Sequence, residues 1–202
     1  MLPAAGVDPQ SWNELDITLP VSPRLELTWE SLARVSSDKG GVVTYAGGLY
    51  ANVAIGDHLT IGPFYDRYVV YSYSSRQWMH TREPGVELTL TTGASQPCEL
   101  SDRSRLYRVL GQDFWVYRNR PRIDCRIGPA RDDVKVFVAD ELFHYTSYGN
   151  WTRNRFTSGV HVTFNQRSAI ELYYLRQTDE RQIPDHIAGI GITLELRVGA
   201  VH

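Results

Sequence analysis

The sequence predicts an all-β fold: a closed antiparallel up-and-down transmembrane β-barrel of about 10–12 strands. Apolar and polar residues alternate along almost the whole chain, and most of the alternating runs are 9–15 residues long. The polar positions of these runs carry full charges and not only Ser and Thr. Alternation is typical of a sheet with two unlike faces. Tilted strands that cross a bilayer need about 9–11 residues, whereas strands of soluble sandwiches usually have about 5–6, so the run lengths favour a membrane barrel.

Eleven runs of the chain carry this alternation. The clearest is the last, in which five aliphatic residues between Ile190 and Val198 are separated by glycine, threonine and charged residues. The predicted strands are 12–19, 24–35, 42–55, 58–72, 85–92, 99–110, 114–128, 134–144, 153–164, 169–177 and 187–198. The connections between them are short at 56–58 and 165–168 and longer and more polar at 72–84, 145–152 and 178–186.

The number of runs conflicts with a rule of membrane barrels, because bacterial barrels made of one chain have an even number of strands. Either one run is not a strand, or residues 1–11 form a twelfth strand or thread through the lumen. Pro3 and Pro9 make that segment a poor strand, since proline cannot donate a ladder hydrogen bond. We therefore predict one domain, with a luminal or disordered N-terminal segment at 1–11, the β-barrel at 12–198 and a C-terminal tail at 199–202.

The composition excludes several classes of protein. A net charge of −2 argues against a nucleic-acid partner, and the chain has no run of about 18 apolar residues that could form a transmembrane helix. Met1 is not followed by the basic start and apolar stretch of a signal peptide, and we expect that a signal was removed and Met1 added. Of 21 basic residues 19 are Arg, which suits fixed networks of ion pairs.

The aromatic residues suggest which face of the sheet meets lipid. Tyr and Trp suit the boundary between apolar and wet surroundings, and they continue the apolar face near the strand ends. These residues are Trp12, Trp29, Tyr45, Tyr65, Tyr71, Trp115, Tyr117 and Tyr174. The polar face combines charges with small residues, as a crowded interior requires: Gly48, Gly62, Gly159 and Gly191. We predict that the apolar face contacts lipid and that the charges line the lumen.

The predicted lumen holds a network of arginines and carboxylates. Its members are Arg34, Glu87, Arg103, Arg105, Arg118, Arg120, Arg122, Arg126, Glu141, Arg155, Glu171 and Glu195. Seven arginines fall between Arg103 and Arg126. They could select anionic solutes, as charged rings do in pores, or they could pair with carboxylates of neighbouring strands and close the lumen. A lumen of 10–12 strands is about wide enough for side chains and a narrow gap, which favours the second interpretation.

Parts of the sequence resemble one family. They are the stretch from Trp12 to Leu27, the segments 140–143 and 151–156, the Gly-Val-His-Val-Thr-Phe run at 159–164, and Leu172–Tyr174. Together they are similar to the DUF2490 family of bacterial outer-membrane β-barrel proteins, over about residues 12–198. The resemblance implies the outer membrane of a Gram-negative bacterium. It implies no activity, because the function of the family is unknown.

Candidate chemistry is sparse. No histidine pair has the spacing of two ligands on one metal, and we predict neither a metal nor a cofactor. A lipid hydrolase or acyltransferase would need a nucleophile beside an oriented His. His144 and Ser147, with Asp140 or Glu141, are a weak candidate for that role. Ser158 and His161 have opposite parity on one strand and so point to different faces.

The two cysteines predict a cross-strand disulfide on one condition. If the hairpin between strands 99–110 and 114–128 turns near Gly111, Cys98 and Cys125 lie directly opposite each other, and the periplasm is oxidising. A register slip of one residue would leave two buried thiols instead.

The leading interpretation is a porin-like barrel of the outer membrane that is structural or forms a narrow channel, without catalysis. Its predicted partners are outer-membrane lipid and small solutes. Two alternatives remain open: a lipid-modifying enzyme of the outer membrane, and a soluble β-barrel that carries an apolar ligand.

Overall fold

The computed structural model describes residues 7–72, 75–93, 97–127, 133–180 and 186–199, and within these ranges the chain is a single closed barrel. The predicted all-β fold and barrel closure are confirmed. Its strands are β1 (Val7–Ser22), β2 (Leu25–Ser36), β3 (Gly41–Ala54), β4 (Leu59–Ser72), β5 (Gln77–Thr91), β6 (Cys98–Val109), β7 (Phe114–Arg126), β8 (Val134–Tyr145), β9 (Asn150–Asn165), β10 (Ser168–Asp179) and β11 (His186–Arg197). Over these same ranges there is no helix of the length and apolarity needed to traverse a bilayer.

The barrel closes through a parallel pair of strands. β1 pairs with β11 in parallel, from Val7 opposite His186 to Thr18 opposite Arg197, while neighbouring strands elsewhere in the described barrel pair antiparallel. The purely antiparallel up-and-down pattern is therefore wrong at this seam. The reason is the odd strand number, since in an up-and-down order the eleventh strand runs in the same direction as the first.

Two strands begin at least five residues earlier than the sequence pattern indicates. β1 begins at Val7, so residues 7–11 belong to the barrel wall, and the carbonyl of Pro9 accepts a hydrogen bond from Ser37 N at 2.9 Å. β5 begins at Gln77, so most of the connection predicted at 72–84 is strand. In the first part of β5 both sides carry polar residues, and the alternation that marks the other strands is absent. Residues 1–6 and 200–202 lie outside the described residues.

The side chains follow the predicted orientation. On β11, Ile192 and Leu194 point outward and are 36% and 38% exposed, whereas Thr193 between them is 5% exposed and donates to Glu14 on the neighbouring strand β1. The same alternation on the other strands leaves an outer surface rich in Leu, Ile and Val. Trp12 is the exception among the predicted lipid-facing aromatics. It shares the parity of Glu14, points inward and is 2% exposed, so its assignment to the lipid face was wrong.

The two ends of the barrel differ in their outward residues. We call them the β1–β2 rim and the β2–β3 rim, after the first connection that each carries. Near the β2–β3 rim, outward aromatic rings contact one another, with centroids 5.9 Å apart for Tyr45 and Trp78 and 5.9 Å for Tyr117 and Trp151. Near the β1–β2 rim the outward residues are mainly aliphatic, as Val53, Ile61 and Leu90 illustrate. A belt of Tyr and Trp is typical of a membrane–water interface.

A charge placed on the outer wall tests this orientation. We expect Ile192→Lys, near the middle of β11, to lower the free energy of unfolding in lipid vesicles by about 2–4 kcal/mol. The matched change Val198→Lys, just beyond the end of β11, should cost about 0–1 kcal/mol because its ammonium reaches water. Urea titrations in vesicles measure both values. Equal costs at the two positions would contradict the assignment of this face to lipid.

Candidate functional site

The inward side chains form an arginine-rich wall and a facing carboxylate-rich wall, with single residues of the opposite charge in each. The structure places all twelve residues of the predicted charge network on the inward side, and the arginines come mainly from β6, β7 and β9. Carboxylates on β1, β2 and β11, among them Asp16, Glu30 and Glu195, face them across a cavity of about 250 Å³. The arrangement follows from period-2 alternation, because each strand delivers every second side chain to the lumen.

Glu141 is the centre of the network. It lies on β8, is 3% exposed and receives Arg118 Nη2 at 2.6 Å on one carboxylate oxygen and Arg155 Nη1 at 2.9 Å on the other. Arg155 also donates to Gln177 on β10, at 2.9 Å from Nη2. One carboxylate thus ties β7, β8, β9 and β10 together.

A second cluster surrounds Arg105 on β6. Its Nε donates to Glu87, and its Nη1 lies 3.2 Å from the hydroxyl of Tyr50 and 3.9 Å from Asp66 Oδ2. Tyr50 in turn donates to Asp66 Oδ1 at 2.7 Å. Gly48 is required beside this cluster, because a Cβ at that position would collide with the Asp66 carboxylate and the Tyr50 ring.

A third cluster lies nearer the β1–β2 rim and contains three residues whose side chains are of the types that bind metal ions. Ligand atoms of His161, Glu171 and Glu195 lie within 4.8 Å of one another. Arg122 donates to Glu171 Oε1 at 2.5 Å, and His161 Nδ1 approaches the same oxygen at 3.3 Å. The guanidinium of Arg122 is therefore already bound to the Glu171 carboxylate that a metal ion would need as a ligand. Arg122 also makes two bonds to Asp124, at 2.7 and 2.6 Å.

The remaining predicted arginines have looser partners. Arg34 lies over the ring of Trp12, 3.8 Å from its centroid, and Arg155 lies 4.6 Å from the centroid of the same ring. Arg103 reaches Glu87 and Glu141 only at 3.9 Å. Arg120 lines the cavity and makes no ion pair with the residues that the structure describes, and Arg126 lies inward near the β1–β2 rim.

A cluster of buried, mainly apolar residues, here called the plug, fills part of the lumen on the side of the β2–β3 rim. Its members point inward from β3, β4, β6, β7 and β8: Tyr50, Phe64, Tyr107, Val109, Val116, Phe143 and Tyr145. Val116 on β7 and Leu175 on β10 both face the lumen, and both are 0% exposed. Towards the β1–β2 rim, inward charges such as Glu26 and Arg197 are about half exposed, at 38% and 40% of their side chains. The plug thus lies towards one rim, and the partly exposed charges lie towards the other.

Sequence reasoning missed this plug, although a signal for it exists. Phe64 shares its parity with Asp66, and Phe143 shares its parity with Glu141, so both could have been assigned to the lumen. Aromatic residues were predicted only for the lipid face, where Tyr and Trp are common, and none of the aromatics of the plug was among them.

The candidate catalytic residues do not assemble. Glu141 points into the lumen, whereas Asp140 and His144 point outward on the same strand. His144 contacts Trp151 edge to face, with ring centroids 5.5 Å apart, and Asp140 accepts a hydrogen bond from Asn154 at 2.6 Å. Ser147 lies in the turn after β8.

Cys98 and Cys125 are directly opposite on β6 and β7 and form a disulfide, on the outward side of the wall. The hairpin turns at 110–113, where Gly111 has a φ of 88° and Asp113 a φ of 56°. This turn sets the register on which the predicted bond depended.

Apolar residues outside, charges inside and full closure define a β-barrel of the outer-membrane type. The chain belongs to the family described as "Protein of unknown function (DUF2490)", whose model matches residues 9–187. No curated protein matches it. Among solved structures it is similar to LpxR from Salmonella typhimurium, with 10% identity and a TM-score of 0.56 over 86% of this chain and 83% of that one. The beta domain of the Bordetella autotransporter BrkA matches 84% of this chain and 78% of its own, with 13% identity and a TM-score of 0.43.

Removing the shared carboxylate should destabilise the barrel. We expect Glu141→Gln to lower the free energy of unfolding by about 3–5 kcal/mol, because Arg118 and Arg155 would be left as buried charges without their counter-ion. The matched change Glu99→Gln removes a partly exposed pair with Lys135 at 3.4 Å and should cost about 0–1 kcal/mol. Urea unfolding followed by gel mobility measures both. A cost for Glu141→Gln no larger than that for Glu99→Gln would contradict its central role.

The disulfide should stabilise the β6–β7 hairpin by limiting the unfolded chain. Its residues are 27 apart, and replacing both cysteines by Ser is expected to cost about 2–4 kcal/mol. Dithiothreitol should lower the urea midpoint of the unaltered protein by a corresponding amount. The Cys98→Ser/Cys125→Ser variant is the control, and its midpoint should not respond to dithiothreitol. An unaltered protein that is equally insensitive would argue against the bond.

Proposed function

We propose that this protein is an outer-membrane β-barrel that does not conduct solutes, so that its role is carried by the barrel wall and its rims and not by a pore. The observation that carries the proposal is the complete burial of Val116 and Leu175, two lumen-facing residues on β7 and β10. Solvent that entered a continuous channel would reach both side chains.

The charges of the lumen support a closed state as well. Conduction requires sites that bind an ion weakly enough to release it. Glu141, Arg118 and Arg155 instead satisfy one another at 2.6–2.9 Å, and an ion passing them would have to break these bonds. The network therefore acts as cross-links between strands, in line with the structural interpretation of the Arg cluster.

The alternatives find less support in the geometry. An outer-membrane lipid hydrolase would need a nucleophile, a His and an acid in contact, and the candidates separate to different faces or to a turn. A soluble carrier of an apolar ligand would need an apolar cavity, and this cavity is lined largely by arginine, aspartate and glutamate. The proposal accordingly assigns no catalytic step to the chain.

Conductance across a planar bilayer tests the proposal. The unaltered protein should insert without producing discrete current steps. The Phe143→Ala/Leu175→Ala variant removes two buried side chains from β8 and β10, the strands on either side of β9, and should produce steps, because water can then pass between the rims. Discrete steps from the unaltered protein would contradict a closed lumen.

The matched control is Trp151→Ala, which removes a large aromatic from the outward side near the same rim. This variant should produce no current steps, since it leaves the plug intact. The heat-dependent gel mobility typical of folded barrels, measured for each variant, establishes that any current comes from a folded protein.

A further inference from the structure

One part of the outer wall does not have the chemistry of a surface in contact with lipid. We define the outward polar patch as six residues that share the outward parity of β6, β7, β8 and β9: Asp102, Ser104, Tyr117, Asn119, Asp140 and Asn154. On these same strands the other outward residues are mainly apolar, among them Leu106, Ile123 and Val138. The patch is therefore a local interruption of the apolar exterior.

Hydrogen bonds organise the patch into two connected groups. Asn119 Nδ2 donates to Asp102 Oδ1 at 2.7 Å and to Ser104 Oγ at 3.2 Å, and the Ser104 and Tyr117 hydroxyls lie 3.0 Å apart. In the second group Asn154 Nδ2 donates to Asp140 Oδ1 at 2.6 Å. Leu142 separates the groups, since it pairs with Asn119 on one side and Asn154 on the other.

These bonds leave much of the hydrogen-bonding capacity unused. Neither Asp102 nor Asp140 has an Arg, Lys or His partner among the described residues, and the second oxygen of each carboxylate accepts no bond from them. The amide oxygens of Asn119 and Asn154 are also unbonded within the described chain, as is one N–H of Asn154. Hydrocarbon offers nothing to these groups, and polar groups without partners are costly there.

The depth of the patch excludes lipid headgroups as the occupant. Trp115 marks the aromatic belt at the start of β7, and Asn119 lies four residues further along the strand. Asp102 pairs with Pro121, deeper still, near the middle of the wall. The carboxylates thus lie among acyl chains, at a level where headgroups and bulk water do not supply hydrogen bonds.

We propose that the outward polar patch is the contact surface between two copies of this chain in the membrane. The unused groups include acceptors on both aspartates and both asparagines and donors on Asn154 and on the Ser104–Tyr117 hydroxyl pair. A surface with both kinds of group can pair with its own copy about a two-fold axis. Strands in such barrels are tilted by about 35–45°, so neighbouring strands place carboxylates and donors at overlapping depths, and a carboxylate of one copy can meet a donor of the other.

The available area is sufficient for a stable contact. Four strands about 4.8 Å apart, each at least 12 residues long, form a face of roughly 19 by 40 Å. Two such faces would bury roughly 1,000–1,500 Å² in total after allowance for curvature, which is the size of specific interfaces. Apolar residues around the patch, such as Leu142 and Phe156, would surround the polar contacts and exclude lipid from them.

Site-specific photo-crosslinking in membranes tests the proposal, which rests on the proposed membrane location but not on the closed lumen. Benzoylphenylalanine at Leu142, between the two polar groups, should yield a product of twice the monomer mass. The control places it at Leu27 on β2, on the far side of the barrel, where a similarly exposed leucine contacts lipid. Adducts of lipid alone at Leu142, or a product with a different protein, would overturn the proposal.

A matched pair of substitutions gives a second readout in detergent solution. Asn119→Leu removes the amide that holds Asp102, and Asn13→Leu makes the same change on the outward side of β1. Light scattering should find a dimer for the unaltered protein and for Asn13→Leu, and at least a 10-fold weaker dimer for Asn119→Leu. A monomer for the unaltered protein, or equal dimerisation of both variants, would overturn the proposal. Heat-dependent mobility identifies folded barrels, so a failure to insert, which would instead count against the membrane location, is recognised separately.

Discussion

Every backbone N–H and C=O group inside a bilayer needs a partner within the protein, and the rest of this structure depends on that constraint. A sheet with free edges cannot meet it, so the first and last strands must pair. With eleven strands in the described barrel the only available pairing is parallel, and β1 and β11 form it over twelve residues each. Parallel pairing is slightly less stable than antiparallel pairing, but unpaired backbone groups at an open edge in hydrocarbon would cost far more free energy.

Closure then determines what the interior must contain. Half of the side chains point into a narrow lumen, and the outward half is mainly apolar, so most of the charges of the strands lie inside. They are stable inside only when paired, and the pairs join strands that are not neighbours: Arg122 on β7 binds Glu171 on β10. Near the β2–β3 rim aromatic rings fill part of the lumen beside the ion pair of Arg153 with Asp179. The ion pairs and the aromatic packing thus both follow from the need to fill a narrow interior.

The sequence predicts the faces of the strands much better than their partners. Alternation alone assigns Arg118, Glu141 and the rest of the charge network to the inside, and a turn at Gly111 is enough to align the two cysteines. It misplaces Trp12 because residue type was given more weight than parity. Parallel closure follows from the eleven runs counted in the sequence, but it was not predicted because bacterial barrels made of one chain have an even number of strands.

The sequence pattern is equally uninformative about polar residues that interrupt the outward, apolar face. Asp102 and Asn119 have the parity of lipid-facing residues, and in the sequence they appear only as breaks in an apolar pattern. The fold brings them onto adjacent strands and within hydrogen-bonding distance. A chemical grouping on the outer wall therefore becomes visible only when the register is known.

Because of the parallel pair of β1 and β11, the chain enters and leaves the barrel wall at different rims. Since β1 and β11 run in the same direction, the chain enters the wall at Val7 beside one rim and leaves it after Arg197 beside the other. In a barrel with an even number of strands the chain enters and leaves the wall at the same rim. Here a peptide attached at the start of the wall and one attached at its end would emerge from opposite edges of the barrel.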